Sequence, residues 1–174
     1  NEELPVRTLE WSPDGSRMAF GTGIGDEDYI SVVDVEKGKA RRVLWKRGVE
    51  YGANGDFGAA TSNWSPDGSR LLFTSNEDDQ FDIGELELSS RRAGWPVRSR
   101  RENMCPQWSP DGARLAYLET EDPGVRLKVK DGRRTTVLSP TDGLTRSASW
   151  LPDGKGMAMV NGSSVRPEEL YVVR

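Results

Sequence analysis

The chain has 174 residues, enough for one ordinary domain, and a formal net charge of −4 from 28 acidic and 24 basic residues. This acidic balance argues against a general nucleic-acid binder, and no apolar run reaches the roughly 18 residues of a membrane-spanning helix. The sequence has no histidine, which excludes Ser-His-Asp and Cys-His catalysis and histidine-ligated zinc within this chain. Its single cysteine, Cys105, excludes an internal disulfide and is expected to be a small buried residue.

A seven-residue motif recurs along the chain and organises it. The first copy reads Trp-Ser-Pro-Asp-Gly-Ser-Arg at residues 11–17, and residues 64–70 repeat it letter for letter. Residues 108–114 carry one change, alanine for the second serine, and residues 150–156 form a looser copy. The motif tryptophans are 53, 44 and 42 residues apart, and a short motif at such a period is typical of a repeat architecture.

Each motif predicts the corner of a β-hairpin. Proline fixes φ at the first corner position, aspartate bonds its own backbone, and glycine accepts a positive φ without steric cost. A short alternating run follows each copy, as expected for the second strand of a hairpin, and the tryptophan ends the first strand. A structural role is therefore predicted for Trp11, Asp14, Gly15, Trp64, Asp67, Gly68, Trp108, Asp111, Gly112, Trp150, Asp153 and Gly154.

Taken in chain order, the sequence predicts strands only, because no stretch holds a 3.6-residue period between turn signals. The first repeat has strands near 6–11, 17–22, 29–35 and 41–45, and the later repeats follow the same order. The predicted fold is all-β: a β-propeller of about four four-stranded antiparallel blades. Residues 1–174 are expected to form one propeller segment, with blades near 6–46, 59–99, 103–139 and 146–174.

The pattern Trp-Ser-Pro-Asp-Gly-Ser-Arg, followed by an apolar residue, alanine and phenylalanine in residues 11–20, resembles the TolB-like, WD-like propeller repeat. The resemblance covers essentially the whole chain, and the fourth copy departs from it at Leu151, Lys155 and Gly156. It implies one of two functions. One is a non-catalytic propeller for protein–protein interaction, which favours the periplasm. The other is the gating propeller of a prolyl-oligopeptidase-like serine peptidase, which favours the cytoplasm and places catalysis outside this chain.

The propellers that this chain resembles are rings of six or more blades, whereas this chain encodes about four. In the other repeats the outer strand ends 9 to 19 residues before the next motif tryptophan, but residues 4–7 end only four residues before Trp11. The N-terminus is therefore not expected to supply a closing outer strand. We expect a partial or open propeller, completed by further blades, by self-association or by another chain, with a closed four-bladed ring as the alternative.

Acidic turns between the second and third strands, together with the long connection from Trp45 to Ala59, are the candidate binding elements. Exposed hairpin turns are commonly charged, so a purely solvated role is one interpretation, and docking of a basic partner or binding of a hard cation are the others. The spacing matches no calcium loop, and no metal or cofactor is predicted. The candidate residues are Asp26, Glu27, Asp28, Tyr51, Asp56, Phe57, Glu77, Asp78, Asp79, Glu121 and Asp122.

Other charged or small-residue patterns favour no chemistry. Basic runs on the fourth strands, such as Arg41 and Arg42, protect outer blade edges against pairing. The sequence has no Gly-x-Ser-x-Gly elbow, and its glycine-rich run near residue 23 opens no helix. The chain is therefore predicted to be a non-enzymatic scaffold with a protein partner, without nucleic acid and without a membrane span.

Overall fold

A computed structural model of the protein describes residues 6–24, 27–46, 51–52 and 64–174. All regular structure in these ranges is β-strand, which confirms the all-β prediction. Within the same ranges there is no helix of the length and apolarity needed to cross a membrane. The strands fall into successive meanders, which we call blades one to four.

Blade one is a four-stranded antiparallel meander with its strands in chain order. It consists of β1 (Val6–Trp11), β2 (Arg17–Ile24), β3 (Glu27–Asp34) and β4 (Lys39–Trp45). The first motif forms the β1–β2 corner, where Gly15 has a φ of 69° that favours glycine. Strands β2 and β3 each extend beyond their predicted bounds, because their ladder continues to the Ile24–Glu27 pair at the hairpin tip.

Blade two contains β5 (Tyr51–Gly52), β6 (Arg70–Ser75), β7 (Asp82–Glu87) and β8 (Arg92–Val97), again in chain order. Strand β5 pairs with the end of β6, and Trp64 makes an isolated bridge to Leu71 nearer the corner. The prediction that residues 45–59 form one long loop is therefore wrong at Tyr51, which belongs to the innermost edge of the sheet.

Blades three and four share one seven-stranded sheet. Blade three has β9 (Asn103–Trp108), β10 (Arg114–Glu121), β11 (Gly124–Asp131) and β12 (Arg134–Val137); blade four has β13 (Gly143–Trp150), β14 (Met157–Ser163) and β15 (Arg166–Val173). Each of the two blades is antiparallel within itself, as predicted. The two blades join through a short parallel pairing of β11 with β13, at Gly124–Gly143 and Val125–Leu144. A Cβ on Gly124 would lie 2.1 Å from the Gly143 carbonyl oxygen, so only glycine permits this approach.

The apolar core lies between consecutive blades rather than inside any one of them. One cluster joins Ala19 and Val32 of blade one to Leu71 and Phe73 of blade two. A second joins blades two and three, and a third joins blades three and four. Face-to-face stacking of this kind defines propeller blades. The sheets of the described chain do not close into a ring, as expected for a partial propeller.

Candidate functional site

The predicted acidic turn of blade two lies where the sequence placed it, between β6 and β7. The side chains of Asp78 and Asp79 are exposed and Glu77 is half-buried. Asp79 has a φ of 65°, a conformation that aspartate tolerates better than most residues because its short side chain bonds locally. We call this end of the sheets, which carries the β6–β7 and β10–β11 turns, the acidic end.

The other candidates are placed differently from the prediction. Glu121 is the last residue of β10 and Asp122 lies in a two-residue turn, because the β10–β11 ladder runs to its tip at Glu121–Gly124. Glu27 and Asp28 begin β3 for the same reason, rather than lying in a turn. Asp26, Asp56 and Phe57 lie outside the described residues.

A compact ion-pair cluster occupies the acidic end of blade three. The Lys128 ammonium lies 2.5 Å from the Glu119 carboxylate and 2.7 Å from the Glu121 carboxylate. Burial opposes the charge on Lys128, but the hydrogen bonds that its ammonium donates to these two carboxylates prevail and raise its pKa. Hydrogen bonding from Lys128 lowers the pKa of Glu121, so both partners stay charged around neutral pH. Arg101 reaches the cluster from the connection between blades, 3.2 Å from Glu121.

The connection between blades two and three is held by a buried polar network. The Asp82 carboxylate accepts hydrogen bonds from the Ser99 backbone N–H at 3.2 Å and from the Asn103 amide at 3.3 Å. Desolvation outweighs these bonds and raises the pKa of Asp82. Glu102 lies in the same connection, directly before β9, and its carboxylate accepts a hydrogen bond from the Phe81 N–H at 2.7 Å. The connection is therefore fixed to both blades it joins.

Basic side chains pair with the predicted acids and change the character of the patch. Lys46 of blade one pairs with Glu77 of blade two, and Arg98 lies 3.2 Å from Asp78. The acidic end is thus a mixed-charge rim with exposed acids at Asp78 and Asp79, rather than a purely acidic surface. In the described ranges no group of three or more acidic, histidine or cysteine side chains is arranged to hold a metal ion. The basic runs on the outer strands, which include Lys46 and Arg98, were visible in the sequence, but their pairing with these acids was not predicted.

The opposite end of the sheets, which we call the motif end, carries the Pro-Asp-Gly corners. In the first copy the Asp14 carboxylate accepts bonds from the Ser12 hydroxyl at 2.6 Å and the Ser16 N–H at 3.0 Å. The Ser12 hydroxyl in turn accepts the Arg17 N–H at 2.9 Å. The bond from Ser12, followed by those from Ser16, lowers the pKa of Asp14 to about 2. These contacts give the motif its predicted role in closing a hairpin.

The backbone of the motif arginine belongs to the corner, and its side chain has a further role that the sequence did not predict. Each arginine extends to the next blade and lies over its motif tryptophan, within cation–π distance. The guanidinium carbon is 5.0, 4.4 and 4.8 Å from the ring centroid in the pairs Arg17–Trp64, Arg70–Trp108 and Arg114–Trp150. The regular repetition of arginine after each corner was the available signal, but the distance spanned by each pair hid its meaning.

In two of these pairs the arginine also donates to a backbone carbonyl of the next motif. Arg17 donates to the Gly68 carbonyl at 2.7 Å, and Arg114 donates to the Gly154 carbonyl at 2.5 Å. The same glycines lie close to the preceding motif proline: a Cβ on Gly154 would be 3.6 Å from Pro110. The motif therefore joins successive blades in addition to turning the chain.

Cys105 is the only thiol, and its surroundings make it unreactive. It lies on β9 within the core between blades three and four and is buried. Burial raises its pKa to about 11, so the nucleophilic thiolate is scarcely populated around neutral pH. The prediction of a small buried core residue is confirmed.

The geometry defines the chain as a set of β-propeller blades, and comparison with solved structures supports this class. TolB from Acinetobacter baumannii matches 97% of this chain and 41% of its own, with 20% identity and a TM-score of 0.77. A puromycin-hydrolyzing peptidase from Mycobacterium tuberculosis matches 97% of this chain and 27% of its own, with 19% identity and a TM-score of 0.76. The tricorn protease matches 97% of this chain and 17% of its own, with 18% identity and a TM-score of 0.65.

These similarities establish the fold and leave the function to be argued from residues, because identity is low and this chain spans less than half of each of these proteins. Neither a protein-family profile nor a curated protein sequence matches the chain.

Proposed function

We propose that residues 1–174 form one non-catalytic propeller segment that binds a protein partner at its acidic end. The contact residues of this proposal are the exposed Asp78, Asp79 and Asp122 with the half-buried Glu77 and Glu121. Among the remaining candidates, Glu27, Asp28 and Tyr51 belong to the same end by their position in the strands. Asp26, Asp56 and Phe57 remain in the proposal from their place in the sequence alone.

The observation that carries the proposal is that ion pairs connect the exposed charged rim to buried residues of the sheet. Arg98 pairs with both the exposed Asp78 and the buried Asp82, so the rim is tied directly to the polar network beneath it. A surface fixed before binding loses little conformational entropy when a partner docks. Its mixed charges suit a partner with complementary charges, since electrostatic complementarity provides specificity and fast association.

The test places a photo-crosslinking amino acid at position 79 and, as a matched control, at the exposed Glu36 on the motif end. We expect position 79 to give a discrete adduct in cells of the source organism and position 36 to give none. Asp78→Lys, made in the chain that carries the crosslinking residue at position 79, should reduce that adduct at least tenfold and leave the melting temperature nearly unchanged, because the Asp78–Arg98 pair is exposed. Equal adducts at both positions, or an adduct indifferent to the charge reversal, would contradict the proposal.

A second candidate function is the propeller part of a prolyl-oligopeptidase-like serine peptidase. It is favoured by the likeness to the puromycin-hydrolyzing peptidase, of which this chain matches 27%. Under this proposal catalysis lies outside the chain, which contains no histidine. The discriminating observation is a Gly-x-Ser-x-Gly elbow and a later histidine encoded in the same reading frame. Turnover of peptidyl or ester substrates by this chain alone, abolished by a serine-reactive inhibitor, would contradict both proposals.

The compartment follows the function in this proposal. A TolB-like binding role favours the periplasm, and the peptidase role favours the cytoplasm. Fractionation of source cells, followed by immunodetection of the chain, distinguishes the two.

A further inference from the structure

In all three interfaces between blades, the earlier blade contributes the motif arginine and the later blade contributes the motif tryptophan. The motif tryptophan of each later blade faces the preceding blade and is covered by that blade's motif arginine. Trp64, the most buried of the four motif tryptophans, is only 2% exposed and belongs to the cluster that contains Ala19 and Val32 of blade one. We call the face that carries the motif tryptophan the receiving face of a blade, and the face that carries the motif arginine its covering face. Blades one to three have an arginine on the covering face, and blade four does not.

Blade one presents a receiving face that no described residue covers. Trp11 and Leu9 are each 55% exposed, in contrast to Trp64. Cross-strand register adds Met18 and Val33 in a row with Trp11, and Phe20 opposite Leu9. These five residues define the receiving face of blade one.

The glycine of the first motif, Gly15, also lacks the neighbours that the later motif glycines have among the described residues. A Cβ on Gly68 would meet the Arg17 guanidinium at 3.2 Å, and Cβ atoms on Gly112 and Gly154 would meet the preceding motif proline. A Cβ on Gly15 would meet nothing within 4 Å among the described residues. The receiving face thus has the tryptophan, the corner and the glycine of the internal interfaces, but not the arginine and proline that fill them.

A second copy of this chain is a poor match for that face. Its outermost described blade is blade four, whose motif has Gly156 at the position of the arginine. A Cβ on Gly156 would lie 2.2 Å from the Val173 carbonyl oxygen, so the fold leaves no room for a longer side chain there. Lys155, one position earlier, offers a compact ammonium in place of a planar guanidinium that stacks on an aromatic ring.

We infer that the receiving face of blade one is the docking surface for a further blade of the same repeat, one that carries an arginine directly after its Pro-Asp-Gly-x corner. The arginine of that blade stacks on Trp11 and donates to the Gly15 carbonyl, as Arg17 does at Trp64 and Gly68. The apolar face of the same blade covers Leu9, Met18, Phe20 and Val33. This inference does not depend on the proposed function.

The first test extends the full chain by one blade. A copy of residues 103–142, which contains Arg114 and the link to the next inner strand, replaces residues 1–5 ahead of Val6. The matched control is the same extended chain with the copied Arg114→Leu. Trp11 accessibility is measured as the acrylamide-quenching difference between each chain and its Trp11→Phe variant.

We expect the extended chain to lower the quenching of Trp11 several-fold and to melt at a higher temperature than the parent. The leucine control should melt about 2–8 °C below the arginine version, the range expected for one cation–π pair in a chain of this size. Unchanged quenching of Trp11, or identical behaviour of the two extended chains, would overturn the inference.

A second test uses the parent chain, so that failure of the extended chain to fold does not decide the matter. Arg17→Leu should increase the quenching of Trp64 and lower the melting temperature by a similar amount, because it removes the internal version of the same pair. No effect of this substitution would remove the basis of the inference. Light scattering of the parent supplies the last arm: a stable dimer with a protected Trp11 would assign the face to a second copy and overturn the arginine-bearing blade.

Discussion

The first two corners and the fourth corner of this chain form the same backbone hairpin. They differ in the side-chain hydrogen bonds and in the contact between blades that accompany it. In the second copy Ser65 and Ser69 both bond Asp67, and Arg70 lies over Trp108. In the fourth copy Leu151 replaces the first serine, and Asp153 accepts a bond from the Lys155 N–H.

The fourth hairpin nevertheless retains its backbone bonds. The Gly154 N–H donates to the Leu151 carbonyl at 2.8 Å, and the Leu151 N–H donates to the Gly156 carbonyl at 2.9 Å. The motif therefore has two separable parts. Proline, aspartate and glycine make the corner, whereas the serines brace it and the arginine joins it to the next blade.

Replacing the covered tryptophan should be far more costly than replacing the uncovered one. Trp64→Ala removes a fully buried indole from the core between blades one and two and should lower the free energy of unfolding by about 3–5 kcal/mol. Trp11→Ala, the matched variant at an exposed ring, should cost less than about 1 kcal/mol. Equilibrium urea denaturation measures both, and similar costs would show that the interface between blades does not depend on the covered ring.

A side chain at Gly156 should disturb the fourth corner, because it would collide with the backbone of the neighbouring strand β15. Gly156→Ala places a methyl group against the Val173 carbonyl, and relief of this overlap should cost about 1–3 kcal/mol. Gly94→Ala on β8 is the control, because a Cβ there meets nothing within 4 Å. If thermal melts of the two variants coincide with the parent, steric exclusion is not the reason that the fourth copy lacks an arginine.

Removing a bracing serine should weaken the second corner by a smaller amount. The buried Ser65 hydroxyl donates to Asp67 and accepts the Arg70 N–H at 2.9 Å, so Ser65→Ala leaves that backbone donor without its side-chain acceptor. We expect a loss of about 1–2 kcal/mol in denaturant unfolding. Ser164→Ala, at an exposed turn position, should be neutral within about 0.5 kcal/mol. A neutral Ser65→Ala would mean that the brace adds nothing to the corner.

The bracing bonds also predict an acid-dependent loss of stability. Bonds from the flanking serines lower the pKa of both Asp14 and Asp67 from 3.8 to about 2. A lowered folded-state pKa adds stability that is present above about pH 4 and is lost as pH falls through 2. The melting temperature of the parent should therefore fall between pH 4 and pH 2. The double variant Asp14→Asn and Asp67→Asn should fall less steeply over that window, and an unchanged slope would contradict the assignment.

The sequence by itself determined the local structure of each blade. Pro-Asp-Gly fixes a corner through residues within a few positions of one another, as the bonds between Ser12, Asp14 and Ser16 show. Period-two runs such as Leu115 to Tyr117 specify the strands that follow, since their side chains alternate between the two faces of a sheet. These local rules, repeated four times, were enough to predict an all-β propeller.

Contacts between blades were decided only by the tertiary structure. The Arg17–Trp64 pair and the close approach of Gly124 to Gly143 depend on how one blade lies against or beside its neighbour. The place of Tyr51 at a sheet edge depends on its pairing with Ser75, which is distant in the chain. A turn signal carries no information about that arrangement, and neither do the charges of a single repeat. For the same reason the sequence identified the acids of the acidic end but not their partners. Lys46 and Glu77 meet because blade stacking brings the ends of two different repeats together.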